Sequence, residues 1–220
     1  MLYRKLTRLA IPLGLCVLMA ATPKPPPLAP CEVASEWVKR NAGHLPSGLT
    51  AFESHDDAHR RAIYDALSGG QKFSLWNEHF SAIKSKETFS AEQLRFFDET
   101  ERLLSAVLRS KRGRLIEGTP EYSTAKQMAF RAKELFGPSL ALSIFSLGVR
   151  SEVLATSRVP EGKPLEDCDC SHSSAFDSCE DTPGWLCWNN GGSRYKCEHQ
   201  NSGCGFAWLW DCDGLCAPIN

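Results

Sequence analysis

Apolar residues recur at helical spacing through residues 32–149, and this region contains no runs of β-branched residues. The periodicity predicts a mainly α-helical body of five or six helices. The apolar positions group as Val33, Trp37 and Val38; Ala58, Ala62, Ile63, Ala66 and Leu67; Phe73, Trp76, Phe80 and Ile83; Leu94, Phe97, Leu104, Val107 and Leu108; Ala125, Met128, Ala129, Ala132, Leu135 and Phe136; and residues 140–149.

Capping residues mark two helix starts. Ser90 is followed three positions later by glutamine, which is a capping box, and Thr119 is followed directly by proline. Gly137-Pro138 is expected to end the helix that begins after Thr119. Gly69-Gly70 is expected to form a loop between helices.

The amino terminus has the layout of an export signal. A short basic run is followed by a mostly apolar stretch that ends near Ala21, and this stretch is too short for a typical membrane-spanning helix. We therefore expect residues 1–21 to be a signal peptide and the protein to be secreted or periplasmic. Residues 22–31 are rich in proline and predict an extended linker. No role follows for Cys31.

The carboxyl-terminal part differs in composition from the body. After a predicted linker at residues 150–167, residues 168–220 contain eight of the ten cysteines and four of the six tryptophans. So short a segment rarely buries enough apolar surface to fold alone. An even number of cysteines behind a signal peptide predicts four disulfides, whose pairing stays open. The cysteines are Cys168, Cys170, Cys179, Cys187, Cys197, Cys204, Cys212 and Cys216.

Zinc is the alternative to disulfides in this segment. The candidate ligands are Cys168, Cys170, Cys212, Cys216, His172 and His199. Zinc thiolates persist in reducing compartments, whereas export leads to an oxidising one, so disulfides are the preferred interpretation and no cofactor is expected.

The tail also predicts a small antiparallel β-sheet. Residues 185–188 and 193–197 flank Asn189-Asn-Gly-Gly192, a sequence that tolerates the positive φ of a hairpin loop. Residues 206–211 are expected to add a third strand. Four tryptophans exceed what so small a core can hide, so they predict either a binding surface or a cover over the disulfides. They are Trp185, Trp188, Trp208 and Trp210.

Catalytic signals are sparse. His55 and His59 are spaced so that one helical turn would bring two imidazoles to a metal, but Asp56 stands where zinc peptidases carry glutamate. The preferred interpretation is a solvated, charged helix face. The sequence contains no phosphate loop, nucleophile elbow or dinucleotide fingerprint. We therefore expect no enzyme, and the net charge of −1 favours no nucleic-acid partner.

Specific motifs resemble the fulvocin C-related bacteriocins. In the tail they are Cys168-Asp-Cys170-Ser-His-Ser-Ser174, Gly203-Cys204-Gly205 with Trp208, and Cys212-Asp-Gly214-Leu-Cys216. In the body they are Ala62-Ile63, Leu67-Ser68, Leu75-Trp76 with Glu78-His79, and Ser90-Ala-Glu-Gln93. Gly69 departs from the proline expected after Leu-Ser.

The resemblance implies a secreted antibacterial precursor whose disulfide-stapled carboxyl-terminal domain is the active part. The tail carries seven acids against two bases, a net charge of −5, which disfavours general lysis of anionic bilayers. We therefore expect the four tryptophans and the loop at residues 189–192 to bind a defined component of the bacterial cell envelope. An immunity or processing protein is a further candidate partner.

Two other classes of function stay open. The first is a non-toxic secreted binding module whose helical domain remains permanently attached. The second is a secreted metal-dependent hydrolase built on His55 and His59, for which no complete set of catalytic residues exists in the sequence.

Overall fold

The computed structural model describes residues 30–147, 166–168, 170–174, 176, 179, 184–189 and 197–219. The predicted signal peptide, most of both predicted linkers and the loop at residues 190–192 lie outside these residues. The described helices are α1 (Pro30–Arg40), α2 (Leu49–Glu53), α3 (Asp57–Ala66), α4 (Gly69–Lys86), α5 (Ala91–Leu108), α6 (Pro120–Phe136) and α7 (Pro138–Ile144). None of them is long and apolar enough to cross a membrane.

The mainly α-helical body is confirmed, with seven described helices where the sequence predicts five or six. The short helix α2 was not predicted, because five residues show too little of the helical period. Helix α1 begins at Pro30, inside the predicted proline-rich linker.

Local capping explains the helix starts. Ser90 and Gln93 form the predicted capping box, and the hydroxyl of Thr119 accepts a hydrogen bond from the backbone N–H of Tyr122. Helix α6 ends before Gly137, as predicted, at a positive φ of 75°. The loop prediction for Gly69-Gly70 is wrong: Ser68 caps α4 in a second capping box, so both glycines lie in its first turn.

The tail contains short paired strands. They are β1 (Glu166–Asp167), β2 (Trp185–Asn189), β3 (Cys197–Glu198), β4 (Gln200–Cys204), β5 (Trp210–Cys212) and β6 (Gly214–Pro218). β2 pairs with β6 and β4 with β5, both antiparallel, whereas β1 pairs with β3 in parallel.

The predicted hairpin is tested only at its ends. The described residues place β6 beside β2, with Cys187 opposite Cys216. Residues 193–196 of the predicted second strand lie outside the described residues, and Cys197 belongs to β3, which pairs with β1. The predicted third strand is present only from Trp210; residues 206–208 instead form a tight turn. Turn residues reveal local reversals, but they do not decide which distant strand is the neighbour.

Body and tail share one hydrophobic core. Most of the core comes from α3 to α7, and the tail adds Phe176 together with residues 206–210. The largest fully buried side chains are mostly aromatic: Trp76, Tyr64, Phe52, Phe80, Phe96, Phe97, Phe145, Phe176 and Phe206. The helical core is therefore completed by side chains from the far end of the chain.

Candidate functional site

The central feature is a tail segment that enters the helical body. We call residues 206–210 the inserted segment. Phe206 is fully buried, and Trp208 and Trp210 are 5% and 4% exposed. These two tryptophans were predicted to belong to an exposed binding surface, and in the intact chain they are buried.

Aromatic contacts hold the inserted segment in place. The ring of Trp208 lies 5.3 Å from the ring of Tyr64 at an interplanar angle of 90°, and 6.1 Å from that of Phe52. Phe206 contacts Phe145, with ring centroids 4.9 Å apart. Edge-to-face aromatic pairs add about 0.5–1.5 kcal/mol each beyond the burial of their area. The segment is thus packed as core, not laid on a surface.

The backbone of the inserted segment is tightly turned. Ala207 and Trp208 have φ values of 54° and 53°, which are uncommon for residues other than glycine. The backbone N–H of Ala207 donates to the carbonyl of Phe145 over 2.9 Å. Gly205 precedes the turn at φ 68°, and a Cβ there would approach the Ser174 hydroxyl to 2.7 Å. The turn places successive aromatic rings into the helical body.

Polar contacts surround the junction between body and tail. Arg61 donates to the carbonyl of Cys168 over 3.0 Å, and the Ser202 hydroxyl donates to Asp65 over 3.3 Å. Arg114 lies 3.6 Å from the carboxylate of Asp211. Partial burial raises the pKa of Asp211, although the positive charge of Arg114 opposes this shift.

Disulfides staple the tail to itself. The described pairs are Cys170–Cys187, Cys179–Cys216 and Cys204–Cys212. Cys168 is also disulfide-bonded, and the side chain of Cys197 lies outside the described residues. These bonds indicate an oxidising environment. The four cysteines of the zinc alternative are all disulfide-bonded, so they offer no thiolates to a metal.

One disulfide closes the loop that carries the inserted segment. Cys204 ends β4 and Cys212 ends β5, so their bond spans the base of the aromatic turn. Such a closure lowers the conformational entropy of this loop in the unfolded chain and stabilises the folded state by about 2–3 kcal/mol. The shape of the inserted segment is therefore supported by the tail as well as by the body.

The other two predicted tryptophans lie on the paired strands β2 and β6. Trp185 is partly buried and packs against the cluster of Cys170, Cys179 and Cys216. It covers the disulfides, which is one of the two roles predicted for these residues. Trp188 is 39% exposed, and its indole N–H donates to the carbonyl of Ala217 over 3.2 Å.

Trp188 belongs to an exposed apolar strip. Leu186 lies two residues before it on the same face of the sheet, because side chains alternate along a strand. Leu186 is 44% exposed, and Ile219, which follows β6, is 55% exposed. We call Leu186, Trp188 and Ile219 the exposed strip. Among the predicted binding tryptophans, Trp188 is the one that the structure leaves at the surface.

The two predicted histidine ligands lie together but bring no third ligand. The rings of His55 and His59 stack with centroids 6.0 Å apart, and both contact Trp37. His55 precedes the N-cap, Asp56, so the pair does not lie on one helix. Partial burial raises the pKa of Asp56, but hydrogen bonds from His59 outweigh it and hold that pKa below its usual value. Apart from three disulfide cysteines, no group of three metal-ligating side chains converges among the described residues.

Sequence reasoning missed Phe176 and Phe206. Both are buried against Phe145, with ring centroids 6.4 Å and 4.9 Å away respectively. The signal that could have found Phe206 is the uninterrupted apolar run from residue 206 to residue 210, because such a run is typical of a segment buried on all sides. No local signal marks Phe176.

The fold and these contacts define a helical protein with a disulfide-stapled carboxyl-terminal part whose aromatic segment completes the helical core. No family model, curated protein or solved structure matches the chain significantly.

Proposed function

We propose that the protein is a secreted, bacteriocin-like antibacterial precursor in which the helical body covers the apolar part of an active, disulfide-stapled tail. The tail would act on a component of the bacterial cell envelope after it separates from the body. The observation that carries this proposal is the burial of Phe206, Trp208 and Trp210 inside the helical body. The resemblance of the tail motifs to the fulvocin C-related bacteriocins supports the antibacterial role.

The disulfides support a tail that keeps its shape after separation. All three described disulfides join one tail residue to another. The bond between Cys204 and Cys212 would continue to hold the turn of the inserted segment. A preorganised aromatic loop loses less conformational entropy on binding a target than a flexible one does.

The energetics of separation support a target-triggered step. Moving each large apolar side chain from the core into water costs about 2–3 kcal/mol of free energy. Water alone therefore does not extract the inserted segment, whereas an apolar or aromatic-binding target can offset this loss. The indole N–H of Trp210 has no hydrogen-bond partner among the described residues, so a target that supplies an acceptor would also satisfy it.

The exposed strip supports a first contact made before separation. Leu186, Trp188 and Ile219 are the large apolar side chains that the described tail presents to solvent. Tryptophan is common at binding surfaces, because its ring is apolar whereas its indole N–H can form a hydrogen bond. An adjacent aliphatic side chain extends the apolar contact area. The net charge of −5 on the tail favours a defined envelope component over general attraction to anionic lipid.

The second candidate is an intact secreted binding module with a permanently attached helical body. The shared core and the hydrogen bond from Ala207 to Phe145 favour it, because they make the two parts one folding unit. In this case the exposed strip alone would bind the partner, and no cleavage would occur near residues 150–167.

The intact mass of the secreted product, measured with and without reduction, separates these candidates. A fragment that begins between residues 150 and 168 and contains four disulfides is the result expected for the precursor. A chain that begins near residue 22 and continues to Asn220 would favour the attached module and contradict the precursor. Free tail thiols would contradict both.

A killing assay tests which surface acts. The isolated oxidised tail should inhibit sensitive bacteria, and Trp188→Ala together with Trp208→Ala should remove this inhibition. Trp185→Ala is the matched control, because Trp185 packs on the disulfides and its partial exposure is smaller than that of Trp188. Full killing by the double variant would contradict the proposed surface.

A further inference from the structure

A cleft of about 500 Å³ lies where the body meets the tail, beside the inserted segment. On the body side it is lined by Lys72 of α4 and by Arg112 and Arg114 of the loop that follows α5. On the tail side Asn201 and Ser202 of β4 line it. This volume is within the range of pockets that hold small molecules.

The cleft has a surplus of positive charge. Three cationic side chains line it against one carboxylate, that of Asp65. Arg114 is paired with Asp211, but in the described part of the chain neither Lys72 nor Arg112 forms an ion pair within 4 Å. Burial lowers the pKa of Lys72, and the negative charge of Asp65 offsets this only partly. An anion in the cleft would relieve the cost of keeping this ammonium group charged.

We infer that the cleft binds a small phosphate-bearing anion through Lys72 and Arg112 on the body side and Asn201 and Ser202 on the tail side. A guanidinium group matches a phosphate in two parallel hydrogen bonds, and a lysine adds a compact point charge. The side-chain amide of Asn201 supplies a neutral donor, and the single hydroxyl proton of Ser202, which the carboxylate of Asp65 accepts, would turn to the anion. These groups are the usual contacts of a phosphate group.

The position of the ligand has a thermodynamic consequence. Because its contacts come from both body and tail, the ligand binds only when the two parts are joined. Binding therefore stabilises the joined form by mass action. The further effect, a slower release of the tail after cleavage, rests on the proposed function, whereas the binding itself does not.

Titration of the intact, oxidised, uncleaved chain with sodium pyrophosphate and with inorganic phosphate, at constant ionic strength, tests the inference. We expect one site per chain. At about tenfold excess of ligand over Kd, the melting temperature should rise by about 3–5 °C. Arg112→Gln and Lys72→Gln should each weaken binding about tenfold.

Lys111→Gln is the matched control, because Lys111 is the exposed neighbour of Arg112 and does not line the cleft. Its affinity should stay within about twofold of the parent. Equal weakening by Lys111→Gln and Arg112→Gln would show attraction by the basic loop as a whole and overturn the site. Asn201→Ala, on the tail side, should also weaken binding, and a melting curve without ligand verifies that each variant folds.

Vesicles distinguish the source of the phosphate group. Phosphatidylglycerol vesicles should bind the parent chain and not the Arg112→Gln variant if the natural ligand is a lipid headgroup, with phosphatidylcholine vesicles as the control. Saturable, Arg112-dependent binding in either the soluble or the vesicle arm supports the site. If neither soluble phosphate nor vesicles bind in this way, the inference is overturned. That result would not affect the proposals that the tail is cleaved and that it kills bacteria.

Discussion

At the scale of single residues, the same side chain has different roles at different positions in the tail. Trp208 is enclosed by Tyr64 and Phe52 and is 5% exposed, whereas Trp188 on β2 is 39% exposed. Burial and not residue type decides which of the two contributes to folding. Stability and binding should therefore respond differently to the two substitutions.

Trp208→Ala should destabilise the chain by about 3–5 kcal/mol, because it leaves a cavity in the shared core. Trp188→Ala should destabilise it less, by about 1–2 kcal/mol, because the residue is 39% exposed and loses one hydrogen bond, that to the carbonyl of Ala217. Chemical denaturation of the two oxidised variants measures the difference. Equal losses of stability would contradict the assignment of Trp208 to the core.

His79 predicts a pH dependence of stability. Burial lowers the pKa of His79 below its usual value of 6.5, and the hydrogen bond to the carbonyl of Ile144 offsets this only in part. The unfolded chain therefore binds a proton more readily than the folded chain. The stabilising contribution is fully present above about pH 6.5 and is lost as the pH falls toward the folded-state pKa.

His79→Gln should remove this component, so that its free energy of unfolding varies less between about pH 7.5 and about pH 5 than that of the parent. His44→Gln is the control, because His44 is exposed. Denaturation at the two pH values provides the comparison. An unchanged pH dependence in the His79 variant would exclude this residue as the cause.

At the scale of elements, the start of α4 depends on contact with the end of α5. A Cβ at Gly69 would collide with the backbone carbonyl of Leu108, whereas nothing lies within 4 Å of a Cβ at Gly70. Two adjacent glycines in one helical turn thus have different reasons to be present. Gly69 permits the approach of two helices, and Gly70 only lowers helix propensity.

Gly69→Ala should destabilise the chain, by more than about 1 kcal/mol, because the backbone of Leu108 has to move. Gly70→Ala should stabilise it by about 0.5–1 kcal/mol, since alanine favours the helix and meets no neighbour. Thermal melting of the two variants measures opposite shifts. Shifts of the same sign would contradict the close approach of α4 to α5.

At the scale of the whole molecule, apolar side chains of the tail pack into the helical body, although the sequence predicts a linker between the two parts. Burial of Phe206, Trp208 and Trp210 in the helical body stabilises the contact between body and tail by several kcal/mol, at about 2–3 kcal/mol for each side chain. We therefore expect this packing, and not the covalent link through residues 150–167, to keep the tail in place.

Cleavage within residues 150–165 should leave the two pieces associated. They should elute together in gel filtration of the oxidised protein and separate only in denaturant, detergent or the presence of a target. The same cleavage of Trp208→Ala should give a larger separated fraction. Spontaneous separation of the cleaved parent would show that the inserted segment contributes little to the association.

Much of the local structure could be predicted from the sequence. Ser90 and Thr119 mark helix starts because each hydroxyl accepts a hydrogen bond from an amide three residues further along the chain. Such bonds depend only on close neighbours. The disulfide-rich character of the tail follows in the same way from its density of cysteines in a segment too short to bury a core of its own.

The candidate site could be predicted only in part. The sequence indicates that the tail tryptophans matter, but it does not tell that Trp208 is buried and Trp188 exposed. Nor does it tell that β6 lies beside β2. The burial of Trp208 depends on Phe52 and Tyr64, which lie more than a hundred residues away in the sequence.

By itself, then, the sequence determined the helical periods, the caps at Ser90 and Thr119 and the cysteine-rich character of the tail, since each depends on the composition or spacing of neighbouring residues. Only the tertiary structure decided that the aromatic segment of the tail completes the helical core and that Leu186, Trp188 and Ile219 remain exposed. The physical reason is that burial is a property of the assembled surfaces, because apolar side chains compete for one core and the shape of the whole chain settles which of them fit.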